Sequence, residues 1–229
     1  MPLIIAIDGP SGSGKSSTSR LVAERLGLRY VDTGAMYRAM TWWMLSRGID
    51  PGDAAAVAGY CGEPVISIND DPRDPRITVD GVDVSAAIRG AAVGEAVSRV
   101  SAVPEVRARL VSLQRALVSG AADEGLGVVM EGRDIGTVVL PQADLKVFLT
   151  ADAVARAERR AREQAGAAPV DGDDVRATEQ HLRARDALDS TRAVSPLQPA
   201  DDAVHIDGTF LTLDEVVDAV IGLLPSDRA

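Results

Sequence analysis

The sequence predicts an α/β fold: a phosphate-loop core with a five-stranded parallel sheet flanked by helices, plus a small β-containing insertion. Three observations carry this reading. Short apolar runs alternate with segments of helical periodicity, the pattern of right-handed βαβ crossovers. A glycine-rich turn directly follows the first apolar run. A stretch at about 62–90 changes to β-branched pieces between Asp/Pro-rich turns and stands outside the alternation.

Leu3–Asp8 is a short apolar run closed by that turn, which suits a buried parallel strand. Residues 15–26 place Leu21, Val22 and Leu26 at helical spacing, and Gly27 follows as a stop. Leu28–Val31 forms a second strand that ends at Asp32-Thr33-Gly34. Residues 35–47 are helical, with Gly48 as the stop and Trp42, Trp43 and Met44 as core residues. Pro51–Cys61 adds a short helix. Within the insertion the strand pieces are Val65–Ile68 and Ile77–Val79. Pro104 opens a helix with Val106, Leu110, Leu113 and Leu117 on its apolar side, closed by Gly120. Gly127–Met130, Leu145–Leu149 and Ala203–Ile206 supply the remaining sheet strands. Residues 152–165 and 173–189 are helical around a loop at 166–172. Thr212 and Glu215 form a capping box before a last helix that runs to Leu224.

Composition narrows the function. The 229 residues are 46% apolar and 25% charged, ordinary for a globular chain. The net charge of −10 makes the surface as a whole repel nucleic acid and acidic membranes, so any phosphate must be held by a local site. No apolar run approaches the roughly 18–20 residues of a membrane span. Leu3–Ile7 is too short for a signal peptide and lacks a basic flank. A single cysteine, Cys61, excludes an internal disulfide framework and a cysteine-based zinc cluster. The expectation is a cytoplasmic protein, a monomer, with small-molecule partners and neither nucleic acid nor membrane. His181 and His205 show no partner spacing and receive no role.

Gly9-Pro10-Ser11-Gly12-Ser13-Gly14-Lys15-Ser16 is a full GxxxxGK[ST] pattern between a predicted strand and a predicted helix. Glycines let successive backbone N–H groups turn toward phosphate oxygens, and the helix N-terminus adds partial positive charge. Lys15, one of only two lysines in the chain, can bridge the β- and γ-phosphates, and the Ser16 hydroxyl can ligate Mg²⁺. ATP and Mg²⁺ are the implied cofactors. The Asn-Lys-x-Asp motif of GTPases is absent, since the only asparagine is Asn69, followed by Asp70. A small-molecule kinase fits best. The competing readings are a uridylate or shikimate kinase of the same fold and a nucleotide-binding switch that is no kinase.

Four further pieces fall at the carboxyl ends of predicted strands or near them: Asp32-Thr33-Gly34-Ala35-Met36-Tyr37-Arg38, Glu131-Gly132-Arg133-Asp134, Arg107, and Arg185-Asp186-x-x-Asp189-x-x-Arg192. The spacings of four and three put Arg185, Asp189 and Arg192 on one helical face, where two guanidiniums around one carboxylate could hold a phosphate and sugar hydroxyls. Asp32 and Glu131 end predicted strands; either could order Mg²⁺ or its waters, and Asp32 could equally cap the following helix. Arg156, Arg159, Arg160 and Arg162 crowd one helix and would repel one another unless they face an anion or pair with Glu158 and Glu163.

With GPSGSGKSS, which includes Ser17, these pieces and the tracts VVMEGRDIGTVVLPQAD and RDALDSTRAVSPL resemble bacterial cytidylate kinases over essentially the whole chain. The resemblance implies phosphorylation of CMP and dCMP by ATP. It implies that Arg38, Arg133 and Arg192 hold the acceptor phosphate, that Arg185 and Asp189 hold the ribose, and that Ser98, Arg107 and Asp134 read the cytosine edge. Thr33 and Tyr37 join the substrate-binding set, and Ser16 and Asp32 the metal set. Chemistry suits the base assignment, because the 4-amino group needs acceptors whereas O2 and N3 need a donor. The resemblance further implies a core of residues 1–34, 102–155 and 190–229, a monophosphate-binding part at about 35–101, and a lid at about 156–175. Arg156 and Arg160, four apart, are the candidates for stabilising the transition state.

Overall fold

The computed structural model describes residues 2–165, 171–192 and 194–225. Its main sheet is five-stranded and parallel in the order β2-β6-β1-β7-β8, flanked by helices, with a separate antiparallel sheet in the order β3-β4-β5. The strands are β1 (Ile4–Asp8), β2 (Arg29–Asp32), β3 (Ile66–Asn69), β4 (Arg76–Val79), β5 (Val82–Asp83), β6 (Val128–Gly132), β7 (Leu145–Thr150) and β8 (Val204–Asp207). The helices are α1 (Lys15–Leu26), α2 (Thr33–Ser46), α3 (Ala54–Tyr60), α4 (Ala91–Ala102), α5 (Pro104–Asp123), α6 (Ala153–Ala165), α7 (Gly172–Thr191) and α8 (Leu213–Ile221). The expected loop at 166–172 lies outside the described residues over 166–170.

The chain divides into two compact units, Met1–Ile4 with Ala23–Glu131, and Ile5–Val22 with Gly132–Ala229. In the first unit β2 pairs parallel with β6, Tyr30 opposite Val129 and Asp32 opposite Glu131. Helix α2 buries Met36, Met40, Trp43 and Met44, while Trp42 stays half-exposed because it falls off that stripe. The insertion is tied to α2 through Asp80: one carboxylate oxygen accepts from Trp43 Nε1 at 3.0 Å and the other from the Val65 amide at 2.8 Å. In the second unit β1, β7 and β8 pair in parallel register, Asp8 opposite Phe148 and Phe148 opposite His205. The capping box at Thr212 and Glu215 is formed.

Several boundaries differ from the sequence reading. Helix α5 passes through Gly120 and ends at Asp123, because Leu110, Val118 and Ala121 keep one face buried and the left-handed stop is Gly125, with φ 75°. Helix α8 ends at Ile221 rather than Leu224, where Gly222 caps it. Helix α4 had no counterpart in the sequence reading, although Val93, Val97 and Val100 recur at helical spacing. Strand β5 and the π-helical turn Ile135–Val139 were likewise unforeseen. Helix α7 stops at Thr191 and Arg192 is its C-cap, with ψ 144°, still meeting Asp189 three residues before it.

One close approach tests the packing of the first unit. A Cβ on Gly127 would lie 2.3 Å from the Leu3 carbonyl oxygen, which accepts the Val128 amide at 2.9 Å. Gly127→Ala is expected to cost about 1–3 kcal/mol, read as a Tm fall of roughly 2–10 °C in thermal unfolding. An unchanged Tm would contradict the approach.

Candidate active site

In the second unit the phosphate loop leaves β1 and feeds α1. Gly9 (φ 150°), Gly12 (φ 77°) and Gly14 (φ 94°) all have positive φ. At Gly9 bare backbone is obligatory, since a Cβ would sit 2.0 Å from the Leu149 carbonyl oxygen of β7. Helix α1 begins at Lys15, and its first turn holds no acidic side chain, so its positive end is left for an anion. Lys15 is buried, and its Nζ donates to the Pro10 carbonyl at 2.7 Å and to Ser13 Oγ at 3.5 Å. The ammonium is thus folded back over the loop that it serves. Ser16 and Ser17 are exposed on the first turn of α1.

The same unit carries an arginine–carboxylate cluster. Arg133 Nε donates to Asp189 Oδ2 at 3.1 Å. Arg192 lies 3.8 Å from Asp189 Oδ1 and 3.7 Å from Asp134 Oδ1. Asp134 and Asp189 are both buried. The sequence suggested Arg185 and Arg192 around Asp189; the guanidiniums set against it in the fold are those of Arg133 and Arg192. Arg133 enters because it follows β6 directly, a tertiary proximity that helical spacing could not reveal. Arg185 is half-buried on α7. Carboxylates at these distances hold the guanidinium forks in place and offset their mutual repulsion.

Of the α6 arginines, Arg156 is the buried one. It donates to the Ser11 carbonyl at 2.9 Å and to the Ala151 carbonyl at 3.1 Å, and it pairs with Asp186. Asp186 in turn accepts the Ser11 amide at 3.1 Å. Both backbone groups of Ser11, within the phosphate loop, are therefore held by this one ion pair. Arg159 donates to the carbonyls of Gly208 and Thr209, at 2.6 and 3.3 Å. Arg162 makes the surface pair with Glu158 at 2.9 Å. Arg160 is half-buried. The crowding of charge is relieved mainly by carbonyl oxygens and Asp186.

The first unit carries the remaining candidates. Asp32 caps α2, its Oδ1 accepting the Ala35 amide at 2.9 Å. Glu131 is buried, with its carboxylate accepting from Tyr30 Oη and its carbonyl from Thr33 Oγ1 at 2.7 Å. Arg107 is 3% exposed; its guanidinium stands 5.2 Å over the Tyr37 ring and donates to the Ser101 carbonyl at 3.3 Å. A buried cation stacked on an aromatic face is fixed in orientation. Ser98 is half-buried on α4, one turn before Ser101, which donates to its carbonyl at 3.1 Å. Arg38 Nη1 donates to the Ile88 carbonyl at 3.3 Å.

Sequence reasoning assigned no role to Asp8 and Asp186. Asp8 is a buried carboxylate that accepts the amides of Ile135 and Gly136, at 2.9 and 2.8 Å. Burial pushes its pKa from 3.8 up to about 6. The only sequence signal was an aspartate ending an otherwise apolar strand.

Comparison with known proteins identifies the family. The family model for cytidylate kinase matches residues 5–226. A protein of Streptomyces avermitilis named cytidylate kinase is 56% identical over 227 residues, which is 99% of this chain and 94% of that one. Cytidylate kinases of Nocardia farcinica and Corynebacterium glutamicum are 55% and 52% identical, covering 95% and 97% of this chain and 91% and 94% of theirs. The matched span runs from β1 past the end of α8 and takes in the phosphate loop, the Arg133–Asp134 segment and the α7 cap, so this chain belongs to the cytidylate kinase family.

Proposed function

We propose that this chain transfers the γ-phosphoryl group of ATP to CMP and dCMP, giving ADP with CDP or dCDP. The observation that carries the reading is the presence, in one unit, of a GK[ST] phosphate loop with its lysine in place and a partly buried Arg133–Asp134–Asp189–Arg192 cluster. A loop alone would suit any nucleotide user; the cluster adds a site for a second phosphate. Mg²⁺, action in the cytoplasm and action as a monomer belong to the same proposal.

Phosphoryl transfer asks for positioning and charge stabilisation more than covalent chemistry. Lys15 neutralises charge on the β/γ-oxygens, and the loop amides and the α1 N-terminus hold the donor phosphates. Arg133 and Arg192, with Arg38 by resemblance, grip the acceptor phosphate, while Arg185 and Asp189 take the sugar hydroxyls. No strong base is required, because the acceptor oxygen is already anionic. Arg156, set on Ser11, keeps the loop shaped and brings positive charge beside it, and Arg160 serves the same transition state. Ser16 suits Mg²⁺, with an exposed hydroxyl on the first turn of α1, and the resemblance adds Asp32 to the metal set. This ion usually takes its other ligands from phosphate and water, and when bound it offsets charge on the transferring group.

Three measurements test the reading. Lys15→Ala is expected to stay folded by circular dichroism while kcat for ADP formation with CMP falls by about 10²-fold or more. Near-normal turnover would remove the phosphate-loop mechanism. Arg156→Ala is expected to lower kcat and raise KM for ATP, with KM for CMP changed by less than about three-fold, since its partners belong to the phosphate loop. A change confined to KM for CMP would move it to the acceptor side. Base choice is the third test. If Asp134 and Arg107 each read the base as the resemblance implies, UMP offers a carbonyl to the one and an N3–H to the other, so kcat/KM for CMP should exceed that for UMP by at least about 10²-fold. Asp134→Asn should narrow that ratio chiefly by harming CMP. Equal use of the two nucleotides by the unmodified enzyme, or an unchanged ratio in the variant, would show that Asp134 does not read the base.

A further inference from the structure

Asp8 ends β1, immediately before Gly9 of the phosphate loop, and is 4% exposed. Its two carboxylate oxygens take two successive amides, Oδ1 from Ile135 at 2.9 Å and Oδ2 from Gly136 at 2.8 Å. These amides open the π-helical turn Ile135–Val139, whose own N-cap residue, Asp134, makes no side-chain capping bond. The first amides of a helical turn have no partner within it. Here the cap comes from a strand 127 residues earlier in the chain. The turn packs closely here: a Cβ on Gly136 would lie 3.1 Å from Lys146 Cδ and 3.5 Å from Asp8 Oδ2.

The anion serves both amides best. A neutral carboxyl offers the second N–H only the weaker acceptor of its hydroxyl oxygen, and an amide side chain turns a donor toward it. Arg133 and Asp134 stand directly before the turn, so a two-point grip on its first amides fixes both side chains. We propose that Asp8 is a positioning residue for phosphoryl transfer, locking the Arg133–Asp134 segment to the strand that carries the phosphate loop. The proposal rests on the kinase reading given above.

The electrostatics bear on it. Burial is the main cause that raises Asp8; the two amides pull it down, the Asp134 charge raises it, and Lys15 lowers it, leaving it at about 6 against an ordinary 3.8. From β7, the group that reaches the turn is the aliphatic stem of Lys146, whose ammonium pairs with Asp202 at 2.8 Å, and Phe148 is the register partner. A carboxyl whose folded pKa is raised contributes stability that is fully present below its unfolded pKa, near 4, and is lost as pH rises through about 6. At neutral pH the ionised side chain is thus held against the stability of the fold, a pattern typical of functional carboxylates.

The test reads amides and kinetics separately. In ¹⁵N-labelled wild type between pH 5 and 8, the Ile135 and Gly136 amide resonances should titrate together with a midpoint near 6. Adding CMP should move that midpoint down by half a pH unit or more, because the ionised carboxylate is the form that holds Arg133 and Asp134 in place for CMP, and coupling is reciprocal. Asp8→Asn should abolish the titration and lower kcat/KM for CMP at least ten-fold, with ATP affinity by calorimetry within about three-fold. Amides that do not titrate, a midpoint unmoved by CMP, or a variant with wild-type kcat/KM would each overturn the proposal. Should Asp8→Asn fail to fold, the two wild-type titrations decide the matter. Failure of the kinase reading looks different: ligand-free amides that titrate as stated in a protein that turns over no monophosphate.

Discussion

The constraint on which the rest of the second unit depends is the passage of the chain at Gly9 against β7. With Leu149's carbonyl oxygen 2.0 Å from where a Cβ would be, the backbone there has no room for any side chain. That contact lets the chain turn sharply from β1 into the loop and enter α1 at Lys15, so that a helix N-terminus and a lysine converge on one short segment. The loop is then braced from within by Lys15 on the Pro10 carbonyl and from outside by Arg156 and Asp186 on the two backbone groups of Ser11. A loop held in this way loses little conformational freedom when an anion arrives, and that preorganisation is where much of its catalytic value lies.

Charge is the second theme. A chain of net charge −10 that binds phosphate must gather its cations locally and keep them from repelling one another. The described residues do this by pairing: Arg133 and Arg192 share Asp189, Arg192 also approaches Asp134, and Arg156 takes Asp186. Buried pairs of this sort add little to stability by themselves. They fix the direction of each guanidinium, and a bound phosphate can then exchange one charge-assisted partner for another.

The first unit solves a different problem, that of holding a single cation in an apolar setting. Arg107 lies over Tyr37 and reaches the Ser101 carbonyl, so a donor of known direction stands on α5 next to the C-terminal turn of α4. Asp32, the cap of α2, gives that helix a fixed start, and Tyr37 follows on its first turns.

The sheet strands, the phosphate loop and most helix stops were legible in the sequence because each depends on local rules: apolar runs of strand length, positive-φ glycines, the Thr212/Glu215 box. The resemblance motifs also singled out the arginines and carboxylates that the fold pairs, Arg133, Asp134, Asp189 and Arg192. Tertiary structure alone decided their partners. Asp189 is flanked by Arg192, three residues on, and by Arg133 from the end of β6, which helical periodicity could not supply. Arg156 turned from one of four similar arginines into the brace of Ser11 because α6 and α7 bring it and Asp186 to the loop. Asp8, which sequence alone gave no task, was assigned one by two amides 127 and 128 residues away. Sequence fixes local conformation through backbone and side-chain sterics, whereas which charge meets which depends on distances that only the folded chain sets.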